Sequence, residues 1–337
     1  MIRSFACVAI GGTKCSVALA TCADDAVQWR ARREVPTHGD GDVMVRELSG
    51  LLVEMLDAAP ETTLTRIGVA CGGPLDETRG VVLSPPNLPG WDDFDVVTPL
   101  SAHFGVPARL MNDANAGALA EWAWGAARGT RTCIFLTMGT GMGAGLVVGG
   151  RLHRGISGLA GEIGHWRLAP EGPWGFGKYG SFEGFCSGGG IALWAAARAR
   201  EALAAGQSTL LAADTDERAP LTARDAAAAA RAGDALAREL WTDVGERLGR
   251  TLALLVDLLN PEVIAIGGIF PRQEELLRPS MEHALRRDAL GPSLAHCRVV
   301  PSQLEELISD YAALAVALIG EHFDVTAQRL SAALSSE

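Results

Sequence analysis

A carboxylate stands at position 113, within the run Asn112-Asp113-Ala114-Asn115. Residues 108–111 before it read as a strand, and residues 116–124 after it have helix composition. Open α/β sheets place ligands at the C-terminal ends of their strands, so an acid here stands where a ligand is expected. The same residue types in the same place also cap helices, with Asp113 or Asn115 accepting a backbone N–H of the first turn. The local sequence leaves both roles open.

Two glycine-rich turns could hold phosphate. Gly11-Gly12-Thr13-Lys14 lies between two strand-like segments and can turn several N–H groups and a hydroxyl toward one anion, because glycine lets the backbone approach closely. It is not a P-loop, which needs a longer spacing and a following helix; a plain hairpin turn is the alternative. Gly139-Thr140-Gly141-Met142-Gly143 repeats the design in the other half of the chain, and two such turns facing one another suit a nucleoside triphosphate. A third group is polar: Gly161-Glu162-Ile163-Gly164-His165, with Glu183 in a further glycine-rich loop. Acids and an imidazole satisfy sugar hydroxyls, which need acceptors and donors together. The alternatives are a packed structural His165 beside Trp166 and solvated loop acids at Glu162 and Glu183.

These residues need elements to hold them. Segments 5–10, 15–20 and 27–33 read as strands, with a polar turn at Asp24 and Asp25 before the third. Val43, Val45, Leu48, Leu52, Met55 and Leu56 recur at helical spacing, and a strand at 66–70 follows, giving βββαβ. The pattern returns at 133–138, 144–148 and from Arg151 onward, so the chain contains two copies of one unit, each with a Gly-Thr pair (Gly12-Thr13, Gly139-Thr140) at a strand-to-strand turn. Residues 190–254 read as helices, with Thr222 as a cap. A strand at 263–266 ends in Gly267-Gly268, a helix spans 309–319, and the tail beyond Val325 reads as a surface helix with a frayed end.

With 337 residues, 48% apolar and 20% charged, the chain has the length of two ordinary globular domains. A net charge of −11 argues against a nucleic-acid partner, which needs clustered Lys and Arg. The 7 cysteines are scattered and several lie in apolar runs, as buried thiols of a reducing compartment do. No apolar stretch approaches the roughly 20 residues of a membrane span, and the first strand follows the N-terminus without a leader pattern. A cytoplasmic protein without a membrane partner is expected.

In this order the motifs resemble the ROK family (repressor, open reading frame, kinase) of sugar kinases and sugar-responsive regulators. The match runs through Gly11–Lys14, Gly72-Gly73-Pro74-Leu75-Asp76, Asn87-Leu88-Pro89-Gly90-Trp91, Asn112–Asn115, Gly139–Gly143, Gly161–His165, Glu183, and Asn260-Pro261-Glu262-Val263 leading to Gly267-Gly268. The resemblance implies an α/β fold of two ribonuclease-H-like (actin/hexokinase-type ATPase) domains around a central cleft. These would comprise residues 1–112 and 113–304, with a C-terminal helix at about 305–322 packed back on the first. It implies Asp113 as catalytic base; Gly73, Asn112, Glu162, His165 and Glu183 around the sugar; Gly11, Gly12, Thr13, Lys14, Gly139, Thr140 and Gly141 near the phosphates; and Gly267 and Gly268 on the adenosine side. ATP with Mg²⁺, a hexose and a homodimer follow from the same resemblance. The reaction implied is phosphorylation of glucose at its 6-OH, with N-acetylglucosamine, N-acetylmannosamine or another hexose as alternative substrates. The family's regulators carry a DNA-binding helix-turn-helix ahead of this core, for which the chain leaves no room.

Two positions depart from the family pattern. Many members carry a zinc loop, C-x-C-G-x-x-G-C-x-E, where this chain reads Trp174-Gly175-Phe176-Gly177-Lys178-Tyr179-Gly180-Ser181-Phe182-Glu183. An imidazole without thiolates cannot build the usual four-coordinate site, so no structural zinc is expected, and an apolar plug of Trp174, Phe176 and Tyr179 is expected to hold the loop instead. Two residues before the first glycine turn, where members usually carry an acid associated with the metal–phosphate region, stands Ala9. That change keeps a non-catalytic sugar or ATP sensor as the alternative to a kinase.

Overall fold

The computed structural model describes residues 2–23, 26–212 and 221–319. The expected turn at Asp24 and Asp25, residues 320–322 of the expected C-terminal helix and the tail beyond Val325 lie outside them.

The first sheet begins as the expected meander: β1 (Ile2–Ile10), β2 (Lys14–Ala23) and β3 (Ala26–Pro36) pair antiparallel. Helix α1 (Gly41–Asp57) starts where Asp40 Oδ1 accepts the Val43 N–H at 3.0 Å. Its buried stripe, Met44, Val45, Leu48, Leu52 and Met55, shares one core with Val8, Ile10, Val17, Leu19, Ile67 and Val69. Strands β4 (Thr62–Cys71) and β5 (Ala108–Asn112) then add in parallel, so the order is β3-β2-β1-β4-β5 with β5 at the edge. Directly after β5 comes α2 (Asp113–Trp124).

The second sheet, from β6 (Cys133–Met138), β7 (Met142–Val148), β8 (Arg151–His153), β9 (Val263–Ile266) and β10 (Arg298–Pro301), has the order β8-β7-β6-β9-β10. Its β7 and β8 are antiparallel and its β9 and β10 parallel, as in the first sheet. Two copies of one ribonuclease-H-like topology are therefore present, and both Gly-Thr pairs fall at the first hairpin of their copy. The helical stretch resolves into α3 (Gly188–Ala204), α4 (Ala223–Arg231) and α5 (Ala235–Leu259). Thr222 does cap α4, in a reciprocal capping box with Asp225.

The chain forms two compact units, residues 2–135 with 144–161 and 302–319, and residues 136–143 with 162–301. Residues 113–135 group with the first. So does α6 (Ile308–Leu318), which covers the face of the first sheet opposite α1. Ile67 and Val69 face α1, and Gly68 between them faces α6, where an added Cβ would lie 1.9 Å from the Ala313 carbonyl oxygen. The missing side chain sets how closely α6 approaches. Buried Asp310 accepts hydrogen bonds from Ser16 Oγ at 2.7 Å and Arg32 Nε at 2.5 Å, and the Tyr311 ring packs edge-on to Trp29. Upstream, Ser302 Oγ donates to buried Glu121 of α2 at 2.5 Å. Replacing Gly68 with alanine forces α6 away from the sheet and is expected to destabilise the protein by about 3 kcal/mol. Urea unfolding reads this directly, and an unchanged midpoint refutes the tight contact.

Candidate active site

In the first unit, the end of β5 divides two tasks between neighbours. Asn112 Oδ1 accepts the N–H groups of Ala114 at 3.0 Å and Asn115 at 3.1 Å, so Asn112 is the α2 cap. Asp113 Oδ1 accepts the Ala114 N–H at 2.8 Å, while its Oδ2, lying 4.0 Å from where a Cβ on Gly72 would sit, has no protein donor among the described residues. The carboxylate reaches solvent, yet surrounding protein replaces much of the water a surface acid would have; this desolvation raises its pKa, opposed by the Ala114 N–H. Glycines hold α2 in register: a Cβ on Gly145 would lie 2.1 Å from the Ala114 oxygen, and one on Gly117 would lie 2.4 Å from the Phe135 ring. Gly73, on the segment leaving β4, is half-buried.

The first glycine turn is closed by the Gly11 N–H donating to the Lys14 oxygen at 3.1 Å and buttressed by Thr37 Oγ1 donating to the Gly11 oxygen at 2.6 Å. Gly12 presses on Asn87, whose Cβ would lie 2.7 Å from a Cβ added at Gly12. Thr13 is exposed, and Lys14 Nζ sits 2.8 Å from Glu34 Oε2. Lys14 and Arg32 together hold the Glu34 carboxyl below its ordinary range. Ala9 lies opposite Ser16 and Ala70 on the α6 face and supplies no oxygen.

In the second unit three glycine segments converge. The Gly139 N–H donates to the Gly141 oxygen at 3.0 Å, closing the second turn around Thr140. Gly188, first residue of α3, donates its N–H to the Gly139 oxygen at 2.8 Å, and Ser187 Oγ caps that helix through the Gly190 N–H at 3.0 Å. The Gly267 N–H donates to the Leu136 oxygen at 2.9 Å, and Gly268 has φ +74 with only 2.1 Å between an added Cβ and the Met138 oxygen. Glycine walls and the N-terminus of α3 fit a phosphate-bearing nucleotide. Sequence reasoning missed Gly188 and Gly189, although a serine followed by three glycines and an apolar helix was a readable signal. Glu183 Oε2 accepts the Met142 N–H at 3.0 Å and lies 2.8 Å from where a Cβ on Gly141 would sit, so this acid is packed against the second turn. Glu162 is exposed, one residue after Gly161, whose φ is +95.

Residues 5–317 match the model of the ROK family. The chain belongs to the ROK family. A glucokinase of Halalkalibacterium halodurans is 34% identical over 83% of this chain and 85% of its own. An N-acetylmannosamine kinase of Citrobacter koseri is 35% identical over 77% and 81%. Among solved structures, a ROK glucokinase from Streptomyces griseus in complex with glucose and AMPPNP superposes with a TM-score of 0.78 at 27% identity, covering 94% of this chain and 100% of that one. A ROK transcriptional regulator, homologous to the E. coli MLC protein, gives a TM-score of 0.81 at 25% identity, covering 99% and 80%. The fold is thus the actin/hexokinase-like one of the ROK sugar kinases. No helix among the described residues is long and apolar enough to cross a membrane.

The stretch that departs from the ROK zinc loop folds as a hairpin, Trp174–Gly175 pairing with Lys178–Tyr179. It is not an apolar plug: Trp174, Phe176 and Tyr179 are 48%, 41% and 58% exposed, because a two-residue hairpin of alternating aromatic residues has no sheet to cover its rings. They form two separate edge-on pairs, Trp174 with Tyr179 and Phe176 with the His165 ring at 4.4 Å between centroids. Lys178 Nζ donates to the His165 oxygen at 3.0 Å. The buried tether is Ser181, whose Oγ donates to the Gly175 oxygen at 3.1 Å and accepts the Gly184 N–H at 3.0 Å. One imidazole, two aromatic rings and a hydroxyl engaged in a cap do not fit zinc. Elemental analysis of the purified protein is expected to find no stoichiometric zinc, and strong chelators should leave its thermal midpoint unchanged. Zinc at one equivalent, or a chelator-sensitive midpoint, overturns this.

Proposed function

We propose that the chain is an ATP-dependent hexose kinase that phosphorylates glucose at its 6-OH, with Asp113 as general base. The observation that carries the reading is the strand end where Asn112 takes the helix cap and Asp113 keeps one carboxylate oxygen without a protein donor. The glucokinase relative, 34% identical, supports the substrate class.

In this mechanism the sugar hydroxyl gives its proton to Asp113 Oδ2 as its oxygen attacks the γ-phosphorus, and the bond to the leaving ADP oxygen breaks. Asn112 has its Oδ1 held in the cap, so its Nδ2 is the group that donates to the sugar. Gly73, Glu162, His165 and Glu183 complete the sugar contacts. Gly139, Thr140 and Gly141 hold phosphate with the α3 N-terminus, and Gly267 and Gly268 admit the adenosine; Gly11, Gly12, Thr13 and Lys14 are assigned to phosphate as well. Mg²⁺ bound with the nucleotide would supply charge neutralisation at the phosphates, and Ala9 offers it no carboxylate. A cytoplasmic homodimer without nucleic-acid or membrane partners goes with this reading. Two others stay in play: an N-acetylmannosamine kinase, favoured by the relative of that name, and a non-catalytic sensor, favoured by Ala9 and by the likeness to a regulator.

ADP release measured across hexoses and N-acetylhexosamines separates the three. Asp113→Asn is expected to lower kcat by about a thousandfold while sugar binding persists. Near-normal turnover in that variant removes Asp113 from the role, and no turnover by the native chain with any sugar leaves the sensor. The base must be ionised, and its pKa is raised, so kcat is expected to fall with decreasing pH through a value above the roughly 3.9 of an ordinary aspartate. A raised carboxyl pKa in the folded state also means that ionised Asp113 costs stability at neutral pH, so Asp113→Asn should melt no lower than the native protein.

A further inference from the structure

The edge strand β5 ends in a device that the reading above does not use. Asn112 pairs with Cys71 of β4 on one side, and among the described residues no strand lies on the other. On that side its backbone N–H donates to Glu77 Oε1 at 2.9 Å. A carboxylate therefore takes the place of the missing strand at the last residue before Asp113. Glu77 is 5% exposed, and burial of a lone carboxylate is costly unless it is paired. Its partner is Arg154, whose Nη2 donates to Glu77 Oε2.

Each end of this pair is anchored. Asp76 Oδ1 accepts the N–H groups of Thr78 at 3.1 Å and Arg79 at 3.0 Å, which shapes the turn carrying Glu77. The Arg154 oxygen accepts the Ala160 N–H at 3.1 Å, closing the loop that runs on to Gly161 and Glu162. The ion pair thus joins three segments: the one leaving Gly73, the one ending in Asn112-Asp113, and the one delivering Glu162.

We propose that Glu77, held by Arg154, is a positioning residue that fixes Asn112 and Asp113 by receiving the edge-strand N–H. This rests on the kinase reading of Asp113. The acceptor at the Asn112 N–H, and not only the charge, does the fixing, because one N–H···O bond at the strand end sets where α2 begins. A misplacement of about 1 Å at a reacting group can cost on the order of a hundredfold in rate.

The test compares Glu77→Ala, Glu77→Gln and Arg154→Met by kcat and KM for the best sugar, thermal midpoint, and hydrogen exchange of the peptide spanning residues 108–116. Glu77→Ala is expected to lower kcat at least about tenfold, more than it raises KM, and to speed exchange in that peptide selectively. Glu77→Gln, which keeps an acceptor for the Asn112 N–H, should recover most of both. Arg154→Met should give an intermediate loss; if Glu77→Ala does not fold, the other two variants carry the comparison against the native chain. The proposal is overturned if midpoints fall while kcat and exchange in 108–116 stay native-like, or if Glu77→Gln is as impaired as a variant lacking the acceptor. Should the native chain phosphorylate no sugar, the kinase reading fails, and the exchange of 108–116 still decides this one.

Discussion

A single side-chain oxygen, Asn112 Oδ1, accepts two backbone N–H groups where β5 turns into α2. Helix starts leave such donors without intrahelical partners, and a cap is worth about 1 kcal/mol in stability. Its larger consequence here is chemical. Had Asp113 been the cap, both its oxygens would be drawn into the helix start and its carboxylate would be stabilised as the anion, holding its pKa low. With Asn112 in that role, Asp113 stands at the first helical position with one oxygen outward. Desolvation then wins over the single Ala114 N–H, and the pKa moves up. The order Asn-Asp, read along the chain, gives the cap to the amide and leaves the neighbouring carboxylate with a raised pKa.

The start of α2 has to stay where the sheet puts it, and the fold secures this with absent atoms as much as with present ones. Gly145 and Gly117 let the helix backbone sit against β7 and the Phe135 ring, and Gly68 lets α6 sit on β4. Closely packed interiors transmit small displacements, because there is no slack to absorb them. The far end of α2 is tied through Glu121, which receives Ser302 as the chain returns to the first unit, and Asp310 then locks α6 to β2 and β3. Buried carboxylates with several donors each are weak sources of net stability, but removing one donor leaves a charge without compensation. They specify where the returning chain docks more than they strengthen it.

What the sequence revealed follows from the range of the interactions concerned. The meander, α1, the second copy and the Thr222 cap are written in alternation, in 3.6-residue spacing and in neighbours a few positions apart. Local rules suffice for them. Asp310 is different: its partners Ser16 and Arg32 lie at the opposite end of the chain, and nothing near position 310 announces a buried acid in an apolar helix. Glu77 is different for the same reason, since its two partners come from separate segments. Lys14 illustrates the reverse case, where a residue with an evident chemical reading is found paired with Glu34 across the meander. The aromatic positions of the hairpin were legible as the loss of thiolates, but not as exposed rings, because exposure depends on whether another layer covers the hairpin.

That hairpin also bears on how firmly His165 is held. A structural zinc clamp in small metallodomains contributes on the order of 10 kcal/mol, concentrated on four ligand atoms. Here the same span is secured by many weaker contacts, each worth about 1 kcal/mol: side-chain hydrogen bonds at Ser181 and Lys178, backbone bonds from the Phe182 N–H to the Trp166 oxygen and from the Leu168 N–H to the Gly180 oxygen, both at 2.8 Å, and the Phe176 ring contact. The holding energy is thus spread along the loop backbone rather than concentrated at one centre. Of these, the ring contact is the one that touches the imidazole; Lys178 grips the His165 carbonyl oxygen, and Ser181 ties Gly175 to Gly184. The imidazole is therefore oriented by an aromatic neighbour, where a metal ligand would be fixed by a directed bond to the ion.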